Sequence, residues 1–249
     1  MEALNDKLLA FFMVTTRISA FILLVPIFSL ESTPVRIKAA IILLLSLFFT
    51  YINPVKISSN ISIIQIVLLL CGEATYGLAL GLITNLIFSA VRLSARITER
   101  EMGFTFAEVL DPLTGEQDPA FGIFIEMIFM LVFLSANGHH ALLTILSRSC
   151  STVPIGDIPA INILTNAVIE AGSAMFIAGL RLAAPVLAAF ILLLVILAVL
   201  ARAAPEMNIL LLSLPMKIGL GFIMSIIFLD FISGFVSEFA DWMNKLLPI

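Results

Sequence analysis

The apolar runs of this chain differ too much in length to form one simple bundle of membrane helices. Residues 37–52 and 121–136 form runs of 16 residues each, whereas residues 61–91 form a run of 31 residues. A helix that crosses lipid needs about 20 apolar residues, and the longest run would extend roughly 46 Å as one helix. Tilt does not easily reconcile such lengths. We therefore expect broken helices, or helices that stand partly outside the bilayer against other proteins.

The amino-acid composition indicates whether these helices lie in water or in a membrane. The chain is 61% hydrophobic and 12% charged, whereas soluble domains are about half apolar and a quarter charged. These values predict an all-α integral membrane protein. The net charge of −4 and the absence of a basic tail argue against nucleic acid as a partner.

Charged residues interrupt the apolar runs. A charge at mid-helix costs about 2.5–3.5 kcal/mol on insertion, and a large apolar residue returns only about 0.3–0.6 kcal/mol. Several such charges imply faces that meet protein or water, either as interhelical ion pairs and snorkelling groups or along a path for substrate or protons. The residues concerned are Arg17, Glu73, Glu126, Glu170, Arg181, Lys217 and Asp230. We assign structural or intersubunit polar roles to Arg17, Glu73, Glu126 and Arg181.

Residues 202–221 carry charges and prolines between two strongly apolar runs, 185–201 and 218–229. Proline removes a backbone donor and tends to end or kink a helix, and hydrocarbon offers no partner for the freed carbonyl. The segment is therefore expected to be a corner packed inside a larger assembly. Its structural or intersubunit polar residues are Arg202, Glu206, Asn208 and Lys217. Glu206 and Lys217 could pair with each other or with neighbouring chains.

The longest polar segment is residues 92–120. Its first part places Arg92, Arg96 and Arg100 on one helical face. Its second part is a loop with apolar side chains between turn signals, a combination that is usually functional or docked. That loop contains Phe104, Phe106, Val109, Leu110, Asp111, Pro112 and Gly115. It could line or block a passage.

No motif for catalysis, a cofactor or a metal is visible. The chain lacks the nucleophile elbow, the Walker A loop and the glycine-rich dinucleotide motif. His139 and His140 have no further ligands near them in sequence, and Cys71 and Cys150 have no motif spacing. A membrane enzyme would need a clustered catalytic set, so we predict no enzyme activity, no catalytic residue, no cofactor and no metal.

A secondary transporter for a small molecule or ion is the alternative that the residues leave open. Broken helices with buried Arg17, Glu73, Glu126 and Arg181 would suit a binding site at the bilayer midplane. No convincing inverted repeat accompanies them, which weakens this interpretation.

Several segments along nearly the whole chain resemble the FliR family of flagellar export-gate proteins, which includes the SctT-type proteins of injectisomes. They are Pro26 with Pro34-Val35-Arg36, Met102-Gly103-Phe104 with Asp111-Pro112 and Thr114-Gly115, Asn137-Gly138-His139 with Ser147, Ala184-Pro185, residues 202–208 (RAAPEMN) and residues 214–218 (LPMKI). His140 departs from the family pattern, and we attach no function to it. The loop resembles flagellar members more than injectisome members.

The resemblance implies a single FliR/SctT-type membrane domain over residues 1–249. Residues 1–160 would be FliP-like, and residues 161–249 would form a FliQ-like helical hairpin with its turn at 202–217. These parts would wind with FliP and FliQ into a heteromeric helical pore.

The implied function is export of unfolded flagellar proteins through that pore, at the flagellar basal body in the bacterial inner membrane. FlhA, FlhB and the rod base would be further partners. The family's plug loop maps to about 102–118, with Phe104, Phe106, Val109 and Leu110 as plug contacts. Asp111, Pro112 and Gly115 would fix the loop's shape. An injectisome gate subunit is the alternative within the family.

Overall fold

A computed structural model describes residues 2–29, 34–52, 62–104, 120–157, 161–206 and 208–246, and within these ranges the chain is helical with no strand. The helices are α1 (Glu2–Leu24), α2 (Pro26–Ser29), α3 (Val35–Ile52), α4 (Ile63–Met102), α5 (Ala120–Ser135), α6 (Gly138–Thr152), α7 (Ile161–Ala203) and α8 (Ile209–Leu246). The expected all-α class is thereby confirmed.

Four helices are long and apolar enough to cross a membrane: α1 over Lys7–Leu24, α3, α4 and α7. The helices α5 and α6 are bent by 71° at a short break and could together form a fifth span. The sequence-based prediction of membrane helices therefore agrees with the described part of the chain.

The long apolar run at 61–91 is continuous from residue 63 onward. Residues 63–91 lie within α4, one helix of 40 residues and roughly 60 Å. The helix α7 is likewise continuous for 43 residues through Pro185. Breaks occur instead at Val25, between α1 and α2, and at the bend between α5 and α6.

The expected corner at 202–217 is shorter than predicted. The helix α7 ends at Ala203 and α8 begins at Ile209, so the connection is confined to residues 204–208 and Pro215 lies inside α8. The apolar stretch from Ile209 onward favours a helix, and proline is tolerated in membrane helices because neighbouring groups satisfy the freed carbonyl. The prolines alone were therefore a poor guide to the length of the turn.

The chain divides into two compact units. Unit 1 comprises residues 1–88, 137–173 and 239–249, and unit 2 comprises residues 89–136 and 174–238. The division of the chain near residue 160 was predicted from resemblance to other proteins. The two compact units do not test that resemblance, so the division stays a prediction.

In unit 1, α1 and α4 approach each other closely through Gly77 and Gly81. A Cβ at Gly77 would collide with the backbone oxygen of Arg17, and one at Gly81 would lie 3.0 Å from the backbone oxygen of Phe21. Small residues four apart are the usual means of close helix contact in membranes. The glycine spacing therefore fixes which face of α4 meets α1.

Unit 2 packs α4, α5, α7 and α8 segments around aromatic side chains. Phe129, Phe133 and Phe190 are each at most 1% exposed. A Cβ at Gly179 of α7 would lie 3.1 Å from the backbone oxygen of Ala90 in α4. Close backbone approach therefore recurs in this unit.

Candidate functional site

A buried ion pair occupies the centre of unit 1. The Nε of Arg17 in α1 donates to Oε2 of Glu73 in α4 at 2.5 Å, and both side chains are 1% exposed. A charge at such a position is costly unless it is paired and hydrogen-bonded. Each of these residues therefore depends on the other for its burial.

Arg17 also holds the end of α6. Its Nη1 donates to the carbonyl oxygens of Ser149 and Val153, each at 3.0 Å. These carbonyls belong to the last turn of α6 and to the residue that caps it. A cation at a helix C-terminus satisfies free carbonyls and interacts favourably with the helix dipole. Arg17 thus joins α1, α4 and α6.

Glu73 holds the turn that follows α6. Its Oε1 accepts the backbone N–H of Gly156 at 2.8 Å, and Gly156 has a left-handed φ of 93°. A side chain would be strained at that backbone angle, so the turn suits glycine. Glu73 therefore uses one oxygen for Arg17 and the other for the backbone.

Tyr76 completes this buried polar centre, which we define as Arg17, Glu73 and Tyr76. The guanidinium carbon of Arg17 lies 4.7 Å from the centroid of the Tyr76 ring, a cation–π distance. Tyr76 Oη and Arg17 Nη2 are both buried and have no hydrogen-bond partner within the described ranges. The centre therefore retains one hydroxyl and one N–H group that could bind water.

The chemistry of this centre is that of a structural joint. Its carboxylate is occupied by one guanidinium and one backbone amide. Within the ranges that the structure describes, no group of three or more His, Cys, Asp or Glu side chains could hold a metal ion. The rings of His139 and His140 contact each other, with their centroids 4.3 Å apart.

A second ion pair lies in unit 2. The Nε of Arg92 in α4 is 3.3 Å from Oε1 of Glu126 in α5, and the side chains are 34% and 32% exposed. Of the predicted polar residues, the structure thus pairs Arg17 with Glu73 and gives Glu126 a partner from the arginine face of α4.

The remaining predicted polar residues lie at the surface of the chain. Arg181, Arg202, Glu206 and Asn208 are exposed, and Lys217 is half-buried. Asn208 caps α8, because its Oδ1 accepts the N–H of Leu211 at 3.5 Å. No intrachain joint comparable to the buried polar centre includes them in the described part of the molecule, so their intersubunit role stays a prediction.

Most predicted plug residues lie outside the described residues. Phe106, Val109, Leu110, Asp111, Pro112 and Gly115 all belong to this undescribed segment, 105–119. Phe104 is described and 36% exposed, and its ring stacks on that of Phe121. The plug assignment therefore stays a prediction.

Sequence reasoning missed several polar and aromatic residues. Tyr76 gave a usable signal, since it lies three residues after Glu73 and therefore on the same helical face. Glu99 is 6% exposed and accepts the backbone N–H of Phe121. Its place among three arginines made it look like a surface residue.

Comparison with known proteins gives a consistent result along the chain. The family described as "Bacterial export proteins, family 1" matches residues 8–243. A protein of Bacillus subtilis named "Flagellar biosynthetic protein FliR" is 35% identical over 91% of this chain and 88% of its own length.

More distant relatives carry the same name. The one from Escherichia coli is 29% identical over 94% of this chain and 89% of its own length. The one from Aquifex aeolicus is 26% identical over 98% and 93%, respectively. The resemblance seen in the sequence motifs is thereby confirmed. Because the family match spans nearly the entire length, this chain belongs to the bacterial export proteins of family 1, the FliR family.

Proposed function

We propose that this chain is a core subunit of the flagellar type III protein export gate. With FliP and FliQ it forms the pore through which unfolded flagellar proteins cross the bacterial inner membrane at the flagellar basal body. FlhA, FlhB and the rod base are its further partners. The chain has no visible nucleotide motif, so the energy for export comes from an ATPase complex and the proton motive force through other components.

The unburied apolar surface of the helices is the observation that carries this proposal. Only 11% of the α3 span is buried inside the chain. In the most apolar 18-residue stretches of α4 and α7, the buried share is 33% each. In α7, Leu192 and Val199 are each 65% exposed. Such surface requires lipid or partner subunits, and helices of roughly 60 Å are longer than a hydrocarbon core of about 30 Å. Partner helices would cover the part that lipid does not.

The buried polar centre favours a structural role over solute passage. Both oxygens of Glu73 are occupied, and Arg17 is bound to two backbone carbonyls as well as to Glu73. A transporter that bound its substrate here would have to break this set of hydrogen bonds in each cycle. The centre therefore supports an assembly subunit.

Co-purification tests the gate assignment. The tagged chain is expressed with its genomic neighbours and isolated in mild detergent, with the same chain expressed alone as the control. We expect a stable complex with FliP-like and FliQ-like proteins, and aggregation of the chain alone. Partners from an injectisome operon would assign the complex to that system. A monodisperse chain that binds a solute without partners would overturn the gate and favour the transporter.

The plug is tested by deletion. A chain lacking residues 104–113 is expected to assemble normally and to let ions leak, because apolar side chains can close a pore by excluding water. The measurement is the membrane potential of cells that express the complex. A deleted complex that assembles and holds the potential contradicts the plug.

A further inference from the structure

The helix α3 is the least buried of the four candidate membrane spans. Its buried share is 11%, whereas the most apolar stretches of the other three spans are 33% to 44% buried. It packs against α1, and its buried residues Ser46 and Phe49 mark the inner side. The described part of the chain therefore leaves most of the α3 surface for another molecule to cover.

The exposed residues of α3 form one continuous face. Leu44, Leu47 and Phe48 are 68%, 62% and 56% exposed, and their spacing of three and four places them on one side of the helix. Ile37 and Tyr51 lie seven residues before and after Leu44, and they extend the same side with exposures of 50% and 89%. We call these five residues the outer face of α3.

The composition of the outer face favours lipid over a partner helix. Helices in membranes meet through small residues and polar groups. The helix α3 has no glycine, and it has no charged residue between Lys38 and Tyr51. The exposed side of α7 differs, because it presents Arg181, Ala184 and Ala188 at a spacing of three and four. Large apolar side chains without such groups fit acyl chains.

The two ends of α3 carry residues that are typical of the bilayer surface. Arg36 in the first turn is exposed, and Tyr51 in the last turn is 89% exposed. Basic residues are attracted to anionic headgroups, and tyrosine is enriched at both membrane interfaces. The helix has 18 residues, so its length of about 27 Å is close to a hydrocarbon core of about 30 Å. Charge, aromatic group and length thus all match a bilayer.

We propose that lipid acyl chains cover the outer face of α3 in the assembled complex. Leu44 lies near the bilayer centre, and Arg36 and Tyr51 lie at opposite headgroup layers. The inference rests on the proposed function and deepens it, because it assigns this surface of the subunit to lipid and not to FliP or FliQ. The helix α3 thereby fixes the depth of unit 1 in the membrane.

Quenching by brominated lipids tests this contact, because bromine quenches tryptophan only at short range. Trp242, the single tryptophan of the chain, is replaced by Phe, and Ile37→Trp, Leu44→Trp or Tyr51→Trp is added. The complex with FliP-like and FliQ-like proteins is reconstituted into phosphatidylcholine bilayers that carry bromine either at the bilayer centre or near the headgroups. The complex with Trp242→Phe alone supplies the signal of the partners' tryptophans, which is subtracted.

The expected result is a depth profile. Leu44→Trp should lose most fluorescence with bromine at the bilayer centre, whereas Ile37→Trp and Tyr51→Trp should lose most with bromine near the headgroups. Successive positions are seven residues apart, which is a rise of about 10 Å along the helix. Absence of quenching, or the same dependence on bromine depth at all three positions, would overturn the proposal.

Phe48 and Phe49 supply the matched control for a covering protein. They are neighbours at nearly the same depth, but Phe48 is 56% exposed and Phe49 only 4%. Phe48→Trp should therefore be quenched several-fold more than Phe49→Trp. If Phe49→Trp does not assemble, Phe48→Trp and Leu44→Trp decide alone, because both replace exposed side chains. Weak quenching of these two would mean that protein covers the outer face, and it would overturn the lipid contact.

Co-purification separates failure of this inference from failure of the proposed function. A complex that contains FliP-like and FliQ-like proteins but shows no quenching at position 44 overturns the lipid contact and leaves the gate in place. If the chain binds no such partner, the gate is wrong, and the depth profile is measured on the chain alone. A maximum at position 44 with bromine at the bilayer centre then still assigns the outer face to lipid, and absence of quenching overturns it.

Discussion

Each compact unit contains an ion pair that connects two of the described helices, and the surroundings of these two pairs differ. Arg17 and Glu73 in unit 1 are each 1% exposed and lie 2.5 Å apart. Arg92 and Glu126 in unit 2 are 34% and 32% exposed and lie 3.3 Å apart. The first pair is surrounded by protein on all sides, whereas the second remains accessible in the isolated chain.

The difference shows what burial demands of an ion pair. Desolvation of two charges can exceed their mutual attraction, so a buried pair persists only when further hydrogen bonds satisfy it. Three backbone groups, from Ser149, Val153 and Gly156, supply those bonds to the first pair. The buried pair is thus a joint of three helices and a turn.

Removing one member of each pair should give the largest contrast. Glu73→Ala leaves the Arg17 guanidinium buried without its counter-charge, which costs about 3–5 kcal/mol of stability. Glu126→Ala is the matched control and should cost at most about 1 kcal/mol. Both effects are measured as the temperature at which the purified complex is lost from its size-exclusion peak after heating. Equal shifts in the two variants would end the distinction between the pairs.

Exchanging the two charges sharpens the comparison further. Arg17→Glu with Glu73→Arg restores opposite charges, but it places a carboxylate against the carbonyls of Ser149 and Val153 and a guanidinium against the Gly156 N–H. Acceptors would then face acceptors and donors would face donors. We expect this double variant to be no more stable than Glu73→Ala.

The exchange in the exposed pair is the control. Arg92→Glu with Glu126→Arg should stay within about 1 kcal/mol of the wild type, because solvent satisfies the side chains. Thermal stability of the purified complexes compares the two exchanges. If the exchange of Arg17 and Glu73 restored the stability that Glu73→Ala loses, opposite charges alone, without the backbone partners, would hold the joint.

Sequence reasoning identified the charges of the buried joint but not what surrounds them. Arg17 and Glu73 stood out because they interrupt apolar runs. The carbonyls that Arg17 binds lie 132 and 136 residues further along the chain. Backbone groups have no sequence signature, so this part of the site required coordinates.

Helix bounds were predictable where apolar length and turn residues agreed. The runs 37–52 and 121–136 became helices with ends within two residues of those positions. Prediction was poorer at Pro215, which was placed in the corner at 202–217 but lies inside a continuous helix. One lost hydrogen bond does not end a helix when the flanking residues are strongly apolar and neighbouring groups can compensate.

Glycine substitution tests the close packing around the buried joint. Gly77→Ala would press a methyl group against the backbone oxygen of Arg17, whereas a Cβ at Gly172, also in unit 1, meets no atom within 4 Å. Overpacking at such a contact costs about 1–3 kcal/mol. Gly172→Ala should be neutral or slightly stabilising, since alanine favours a helix. Similar thermal stability for both variants would contradict the close contact of α1 with α4.

The smallest effect is expected from the coupling between Arg92 and Glu126. A cycle of Arg92→Ala, Glu126→Ala and the double variant isolates the pair from the other contacts of each residue. The coupling should be about 0.2–1 kcal/mol, because solvent screens both groups and ordering two long side chains costs entropy.

The same cycle, measured in the assembled complex at low and at high salt, tests whether the Arg92–Glu126 pair is also exposed there. Exposure of 34% and 32% is a property of the single chain. If a partner subunit covers α4 and α5 at this point, desolvation should raise the coupling, and added salt should then weaken it less. A coupling that is small and salt-sensitive would keep Arg92–Glu126 as the exposed counterpart of the buried joint. A coupling of several kcal/mol that salt barely changes would place an intersubunit contact on this pair.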